Sequence, residues 1–252
     1  MTGASGRRGL PAALLIALPS LLAPLAVLLG AAGGRFIQPL AAALAVHPFM
    51  ALLVLRRRRG AAIAAVLLWA AVLSATQILV SARDPAAASA TVLGGEAYRE
   101  EMFAFLRSGE GREAEPARFV PQHAAHLAGF GVLTLLSGGF LGIVMGAVLV
   151  GYMSHYVGAL AAAGGAPALA YAFGWPPWAV LRVIAFVILG VLLSGPGVRL
   201  AARRLGHAAE PEARIAPWIL AAAVLLLADL LLKAALARTW AGILRRCLPP
   251  AL

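Results

Sequence analysis

Apolar runs of about twenty residues, the length of a helix that crosses a bilayer, alternate along this chain with short breaks rich in arginine, proline or glycine. Windowed hydropathy resolves seven such runs. They cover residues 10–31, 36–55, 61–82, 122–150, 153–173, 177–195 and 215–236. The pattern predicts an all-α, polytopic transmembrane bundle, with six spans instead of seven if the glycine-rich run 122–150 is one tilted helix followed by an interfacial segment.

The segment 83–120 is the one extended polar connection, and it contains seven of the ten acidic residues. Within it, Tyr98, Met102, Phe105 and Leu106 recur at helical spacing, which predicts a short amphipathic helix. That helix would lie on the membrane or cap the mouth of the bundle, or it would dock a partner. The predicted organisation is three N-terminal helices in 1–82, the connection in 83–120, a C-terminal bundle in 121–238 and an interfacial tail in 239–252.

Charge adds the orientation. Only 12% of the residues are charged, whereas soluble domains have about 25%, and the net charge of +11 comes from arginines at the ends of apolar runs. This placement is typical of membrane topology and not of nucleic-acid binding. The cluster Arg56 to Arg59 predicts a cytoplasmic N-terminus, with Arg7 and Arg8 on the same side and the connection outside. Residue usage is typical of a bacterial chain, so a multi-pass inner-membrane protein is expected, in contact with lipid and other membrane proteins.

Two further features limit the chemistry and the processing of the chain. A single cysteine, Cys247, excludes an intrachain disulfide framework and a CxxC metal or redox motif, and no cofactor is expected. The first apolar run is nearer in length to a membrane span than to the core of a secretory signal, which has about 7–15 residues. The first helix is therefore expected to be retained.

Three glycines in the fourth run, Gly138, Gly142 and Gly146, recur at every fourth residue. On one continuous helix they would share a face and form a groove, a glycine zipper, that lets a second span approach closely. The expected neighbour is the sixth span around Gly190. On this hypothesis Gly142→Leu would push that span away.

Ionisable residues inside the apolar runs are candidates for function because each is costly in lipid. Asp229 and Lys233 lie four residues apart in the last span and can pair on one face, either to orient the helix or to relay protons or ions. Arg182 follows the Trp175 to Trp178 segment and is expected to extend its charge to the membrane interface.

Histidines form a third group of candidates. His123 and His126 are three residues apart at the start of the fourth run, and His155 lies beyond its far end. The first two could bind a metal if a loop carboxylate such as Glu100 completed the site, although the same spacing is also typical of interfacial hydrogen bonding. His155 can approach them only if the helix breaks near Ser137 to Gly139.

Two segments resemble known families. Residues 125–130, AHLAGF, resemble the run that carries the catalytic histidine of rhomboid intramembrane proteases, which would give His126 that role. Those enzymes also need a serine in Gly-x-Ser-Gly on an earlier span, and no span before His126 contains one. Residues 119–196 are similar to the stage II sporulation protein M-like family in the order of a polar helix mouth, a serine- and glycine-rich helix (Ser137–Gly142), a polar turn (Gly151–Gly158) and a proline-led helix (Pro177–Gly190). This resemblance implies a membrane protein that acts with partners.

These observations favour a non-enzymatic integral membrane protein that serves as a structural, assembly or transport-associated subunit. A small permease or proton- or ion-coupled transporter that uses Asp229, Lys233 and the histidines is the alternative. A metal-dependent membrane enzyme is the third hypothesis.

Overall fold

The computed structural model describes residues 10–206 and 215–249, and within these ranges every regular element is helical. Its helices are α1 (Ala12–Gly33), α2 (Ile37–Leu55), α3 (Arg59–Arg83), α4 (Pro85–Thr91), α5 (Gly95–Ser108), α6 (Pro116–Ser137), α7 (Phe140–Ala162), α8 (Pro167–Phe173), α9 (Pro177–Arg204) and α10 (Ala216–Leu244). Seven helical segments in the described residues are long and apolar enough to cross a membrane. The prediction of a polytopic helical bundle with seven spans is confirmed.

Local sequence sets several helix starts. Proline opens α4, α6, α8 and α9, where its fixed φ suits the first turn and its missing N–H is not needed. The Asp84 side chain also caps α4 by accepting a hydrogen bond from the Ala87 amide at 3.0 Å. The short helices α4 and α5 both lie in the polar connection, between the third and fourth spans.

Among the spans, α7 packs against α2, α3 and α6, α1 packs against α2 and α3, and α9 packs against α2, α3, α6 and α10. Successive spans alternate between two ends of the bundle. One end is called the arginine end after Arg56 to Arg59. There Arg56 donates to the Leu10 carbonyl at 2.7 Å. Towards the same end, His47 Nε2 lies 3.1 Å from the Gly138 carbonyl oxygen. At the opposite, connection end, the Gly165 amide donates to the Cys247 carbonyl at 3.3 Å. Arg7 and Arg8 lie outside the described residues.

The amphipathic helix in the connection is confirmed as α5. Its apolar side chains Met102, Phe105 and Leu106 are buried against the bundle. Residues of the same chain therefore cover the apolar face of α5. Arg245, beyond the end of α10, donates to the Leu106 carbonyl at 3.0 Å. The connection thus caps one end of the bundle.

The boundary between the fourth and fifth spans differs from the prediction. Gly138 and Gly139 have φ of +59° and +99°, left-handed values that favour glycine and end one helix before the next begins. The break therefore lies between α6 and α7, whereas the predicted turn near 151–152 lies inside α7. Hydropathy missed the break because three small uncharged residues, Ser137 to Gly139, hardly lower the mean hydropathy of a window of about nineteen residues.

This break also shows that the glycine zipper is wrong, since Gly138 is not on the helix that carries Gly142 and Gly146. A Cβ on Gly142 would clash with Thr134 Oγ1, so the close neighbour of Gly142 is α6 and not the region around Gly190. A Cβ on Gly146 would have nothing within 4 Å. The close approach of α9 occurs instead at the arginine end, where a Cβ on Gly197 would lie 2.7 Å from the Gly138 Cα.

The C-terminal segment differs as well. α10 continues to Leu244, so residues 239–244 complete the last span rather than begin a separate tail. Trp240 is buried and its indole N–H donates to the Phe173 carbonyl at 2.8 Å. The tail predicted over 239–252 therefore begins, within the described residues, only after α10.

Candidate functional site

A cluster of ionisable side chains lies inside the bundle near the connection end. Asp229 and Lys233 come from one face of α10, Arg182 from the second turn of α9 and His123 from the second turn of α6. The fifth member, Glu113, comes from the 3₁₀ turn Arg112–Ala114 in the connection. We refer to these five residues as the charge cluster.

Arg182 and Asp229 form one ion pair of the cluster. The Arg182 Nε and Nη2 donate to the two carboxylate oxygens of Asp229 at 2.8 and 2.7 Å. This bidentate geometry suits the planar guanidinium and fixes its direction. The prediction that Arg182 extends to the interface is wrong, because Asp229, 1% exposed, holds its charge inside the bundle.

Lys233 forms the second pair, and its partner is Glu113 and not Asp229. The Lys233 Nζ lies 2.8 Å from Glu113 Oε2 and 4.5 Å from the centre of the Phe119 ring. The predicted Asp229–Lys233 pair is wrong because each residue has a closer partner on another element. Lys233 is 1% exposed, so an ionised ammonium at this depth depends on that carboxylate.

Sequence reasoning missed Glu113, although charge balance gave a signal. The apolar runs contain Arg182 and Lys233 but only one acid, Asp229, so a second carboxylate was needed from elsewhere. The connection positions that carboxylate, since Arg112 beside it is paired with Glu101 of α5. The Glu101 carboxylate accepts hydrogen bonds from Arg112 and raises the pKa of that guanidinium.

His123 lies between the two ion pairs. Its Nε2 is 3.5 Å from Lys233 Nζ, and its Nδ1 is 3.9 Å from Asp229 Oδ2. Nδ1 is buried and has no hydrogen-bond partner among the described residues. A buried polar nitrogen without a partner is costly, which makes it a position for an added donor or acceptor.

A cavity begins at the charge cluster and continues towards the middle of the bundle. Its volume is about 120 Å³. One ordered water needs about 10–15 Å³ on the same measure, so the cavity has room for several waters or a small solute. Most of its polar lining lies at the connection end, with Thr134 deeper in the bundle; the residues at the connection end are Tyr98, Glu113, Gln122, His123, His126, Tyr152 and Arg182. The side chains of Glu113 and Arg182 are 14% and 20% exposed, so this end is not sealed.

The deeper part of the cavity is apolar. Met50, Val66, Ile143 and Val191 line it, and Gly142, Gly146 and Gly190 form part of its wall. Gly146 leaves open space where a side chain would stand. Two of the predicted zipper glycines therefore lie beside this cavity. A side chain on Gly142 would meet α6, whereas a side chain on Gly146 would extend into empty space.

Tyr98 brings α5 to the cavity. Burial, followed by the nearby charge of Glu113, raises the pKa of Tyr98 well above its usual value. The phenol therefore stays protonated and acts as a donor, with its hydroxyl 3.3 Å from the Met153 sulfur. Tyr98 also stacks on Tyr152 with ring centres 4.5 Å apart, which joins the cap to α7.

His155 belongs to a different polar network, the His155 chain. The helix break does return α7 to the connection end, but there His155 contacts Ser81 and Ser89 and not the other histidines. The His155 chain consists of Gln38, Gln77, Ser81, His155, Ser89, Glu96 and Arg99. Ser81 and His155 are completely buried.

The direction of each hydrogen bond in the His155 chain follows from its ends. The Ser89 hydroxyl donates to Glu96, so the Ser89 oxygen accepts from His155 Nε2, which is 3.1 Å away. Ser81 accepts from the Gln77 amide at 3.0 Å and is free to donate to His155 Nδ1 at 3.1 Å. A neutral imidazole with its proton on Nε2 satisfies every group.

The predicted metal site is not assembled. Among residues 10–206 and 215–249, no group of three or more His, Cys, Asp or Glu side chains is arranged to hold a metal ion. Glu100 is exposed on α5 and does not line the cavity that His123 and His126 share.

Comparisons of the chain with family models, with curated proteins and with solved structures found no match. Geometry and chemistry of the cavity are therefore the basis for a functional proposal, and the two family resemblances of the sequence stay predictions.

Proposed function

We propose that this integral membrane protein is a small permease that binds its solute in the central cavity. The observation that carries the proposal is one continuous cavity with paired charges at its mouth and a glycine-containing apolar wall at its depth. A bundle with a purely structural role would be more stable with this space filled by side chains.

The charge cluster supports the proposal through its two separate ion pairs. Each pair joins different elements: Arg182–Asp229 links α9 to α10, and Lys233–Glu113 links α10 to the connection. A rearrangement that opens either contact exposes two charges that can rebind to each other, to solute or to water. His123 lies between the two pairs, with its ring nitrogens 3.5 Å from Lys233 Nζ and 3.9 Å from Asp229 Oδ2.

Accessibility of engineered cysteines tests the solute route. The native Cys247 is first replaced by Ala, and single cysteines are placed at Gln122, Gly146 and Gly242. Gly242 is the matched control, because a Cβ there also meets nothing within 4 Å but the residue is exposed on the outer surface of α10. Iodoacetamide needs a hydrated thiolate, so it is expected to modify Gln122→Cys and Gly146→Cys and to leave Gly242→Cys unmodified.

The same variants distinguish a permease from a binding pocket. An impermeant methanethiosulfonate reagent is added separately to each face of sealed vesicles. A permease exposes Gly146→Cys to both faces in turn, whereas a one-sided pocket exposes it to the connection face alone. Gly146→Cys as unreactive as Gly242→Cys would overturn the proposal.

We further propose that the protein lies in a bacterial inner membrane with the arginine end in the cytoplasm, which the Arg56 to Arg59 cluster supports. Ser108 is exposed on the connection. In the Cys247→Ala background, Ser108→Cys is expected to react with an impermeant maleimide in intact cells. Labelling that requires broken cells would reverse the orientation.

The structural, assembly or transport-associated role predicted from the sequence leads to the opposite expectation: the cavity need not be accessible to solute. A scaffold that acts with partners, as the sporulation-protein resemblance implies, tolerates an inaccessible and filled cavity. That role would be favoured if Gly146→Leu replaced the wild-type protein in cells without loss and Gly146→Cys were not modified.

A further inference from the structure

We infer that the solute is a small amphiphile without net charge, which places its polar head near Gln122, His126 and Tyr152 and its apolar chain along Gly146. This inference rests on the proposed function and specifies the solute of the same cavity. Three independent properties of the lining carry it: its charge balance, its unused polar groups and its apolar depth.

The charge balance disfavours a charged solute. Arg182 and Glu113 are the formally charged side chains on the cavity wall, and each is already paired with a buried partner, Asp229 or Lys233. The four charges cancel. A solute with a net charge would introduce an unbalanced charge in a low-dielectric site, unless it broke one of these pairs and left another charge unpaired.

The unused polar groups favour a head that forms hydrogen bonds. Gln122, His126 and Tyr152 line the cavity, and in the described part of the chain none of their side chains forms a hydrogen bond. His123 Nδ1 is also without a partner there. An amide, imidazoles and a phenol offer both donors and acceptors, which match hydroxyl, ether or amide groups.

The apolar depth favours a chain attached to that head. Tyr152 and Gly142 are ten residues apart on α7, so the cavity extends about 15 Å along this helix at 1.5 Å per residue. Gly146 lies between them and faces open space. Beyond it the wall consists mainly of apolar side chains such as Met50 and Ile143, and the Thr134 hydroxyl there already donates to the Phe130 carbonyl. Several methylene groups fit along this length.

A set of eight-carbon probes with different heads tests the inference. Octyl glucoside, octanoate and octyltrimethylammonium share one apolar chain and carry no charge, a negative charge and a positive charge. Each is titrated below its micelle concentration into protein in lipid nanodiscs, with tryptophan fluorescence as readout because Trp69, Trp175 and Trp178 line the cavity. Octyl glucoside is expected to bind at least tenfold more tightly than either charged probe.

Two variants separate cavity binding from lipid partitioning. Gly146→Leu fills the cavity and is expected to abolish the saturable signal of octyl glucoside, while Gly242→Leu on the outer surface retains it. Gly146→Ala replaces Gly146→Leu if the leucine variant does not fold, and a tenfold loss is then expected. Butyl glucoside, with a shorter chain, should lose less affinity than octyl glucoside in either variant.

The outcomes are distinguishable from those of the proposed function. Saturable binding that is strongest for octanoate or octyltrimethylammonium, and that Gly146→Leu removes, would leave the cavity as a solute site and overturn the neutral-amphiphile inference. Binding that Gly242→Leu reduces as much as Gly146→Leu would also overturn it. No saturable signal with any probe, together with unreactive Gly146→Cys, would overturn both.

Discussion

The charge cluster and the His155 chain both join the connection to the spans at the same end of the bundle, yet they are built in opposite ways. In the His155 chain the hydrogen bonds run in one direction, from Gln38 towards Glu96, and every side chain has a partner. The charge cluster holds four charges in two pairs, beside a cavity, with an unpartnered nitrogen on His123.

This difference separates a structural network from a candidate site. A polar network that satisfies all its members fixes one arrangement, and here it holds α4 and α5 against α3 and α7. The open space beside the charge cluster, in contrast, leaves unpartnered polar groups within reach of a solute. His155 and His123 lie at the same end of the bundle, and their different partners suggest different roles for them.

The largest expected effect concerns the pairing inside the charge cluster. Asp229→Leu leaves Arg182 as a buried, unpaired charge and should lower the free energy of unfolding by roughly 3–5 kcal/mol. Adding Arg182→Leu should restore most of this loss, because no charge then remains unpaired. Equilibrium unfolding in mixed micelles measures both variants.

The matched control for this rescue is Asp229→Leu with Lys233→Leu. It removes one charge from each pair and leaves both Arg182 and Glu113 without partners, so it should be less stable than Asp229→Leu alone. If Lys233→Leu rescued Asp229→Leu better than Arg182→Leu does, the two separate pairs would be refuted in favour of a direct Asp229–Lys233 pair.

A smaller effect distinguishes the two histidines. His155→Leu leaves the buried Ser81 hydroxyl proton without an acceptor, at roughly 1–3 kcal/mol, and removes one hydrogen bond from Ser89, at roughly 1 kcal/mol. The unfolding free energy should therefore fall by about 2–4 kcal/mol. His123→Leu breaks no hydrogen bond shorter than 3.5 Å and should cost less. It should instead weaken binding of octyl glucoside. Equal stability losses for the two variants would remove the contrast between the networks.

The smallest effects test the cavity that sets the charge cluster apart. Gly142→Ala should lower the unfolding free energy by about 1–3 kcal/mol through overpacking, because its Cβ would meet Thr134. Gly146→Ala, one turn along the same helix, should be neutral or stabilising by up to about 1 kcal/mol from helix propensity. Thermal unfolding of both proteins in one detergent measures the difference. Equal losses would show that no open space exists at Gly146.

Several features could be predicted from the sequence because they depend on local composition. The spans follow from uninterrupted apolar length, and α5 follows from the spacing of Met102, Phe105 and Leu106 within a polar segment. Asp229, Lys233, Arg182 and the histidines were identified because ionisable groups in apolar runs are rare. For these features, a single stretch of chain contains all the necessary information.

Partner choice, in contrast, was decided only by the tertiary structure. The spacing of Asp229 and Lys233 allows them to pair, but Arg182 and Glu113 compete for the same charges from distant parts of the chain. Likewise, the four-residue glycine spacing cannot reveal that Gly138 has a positive φ and that Gly146 faces empty space. The physical reason is the same in each case. Packing between distant parts of the chain determines which of several locally permitted contacts forms, and it also determines which positions, such as Gly146, have no neighbour.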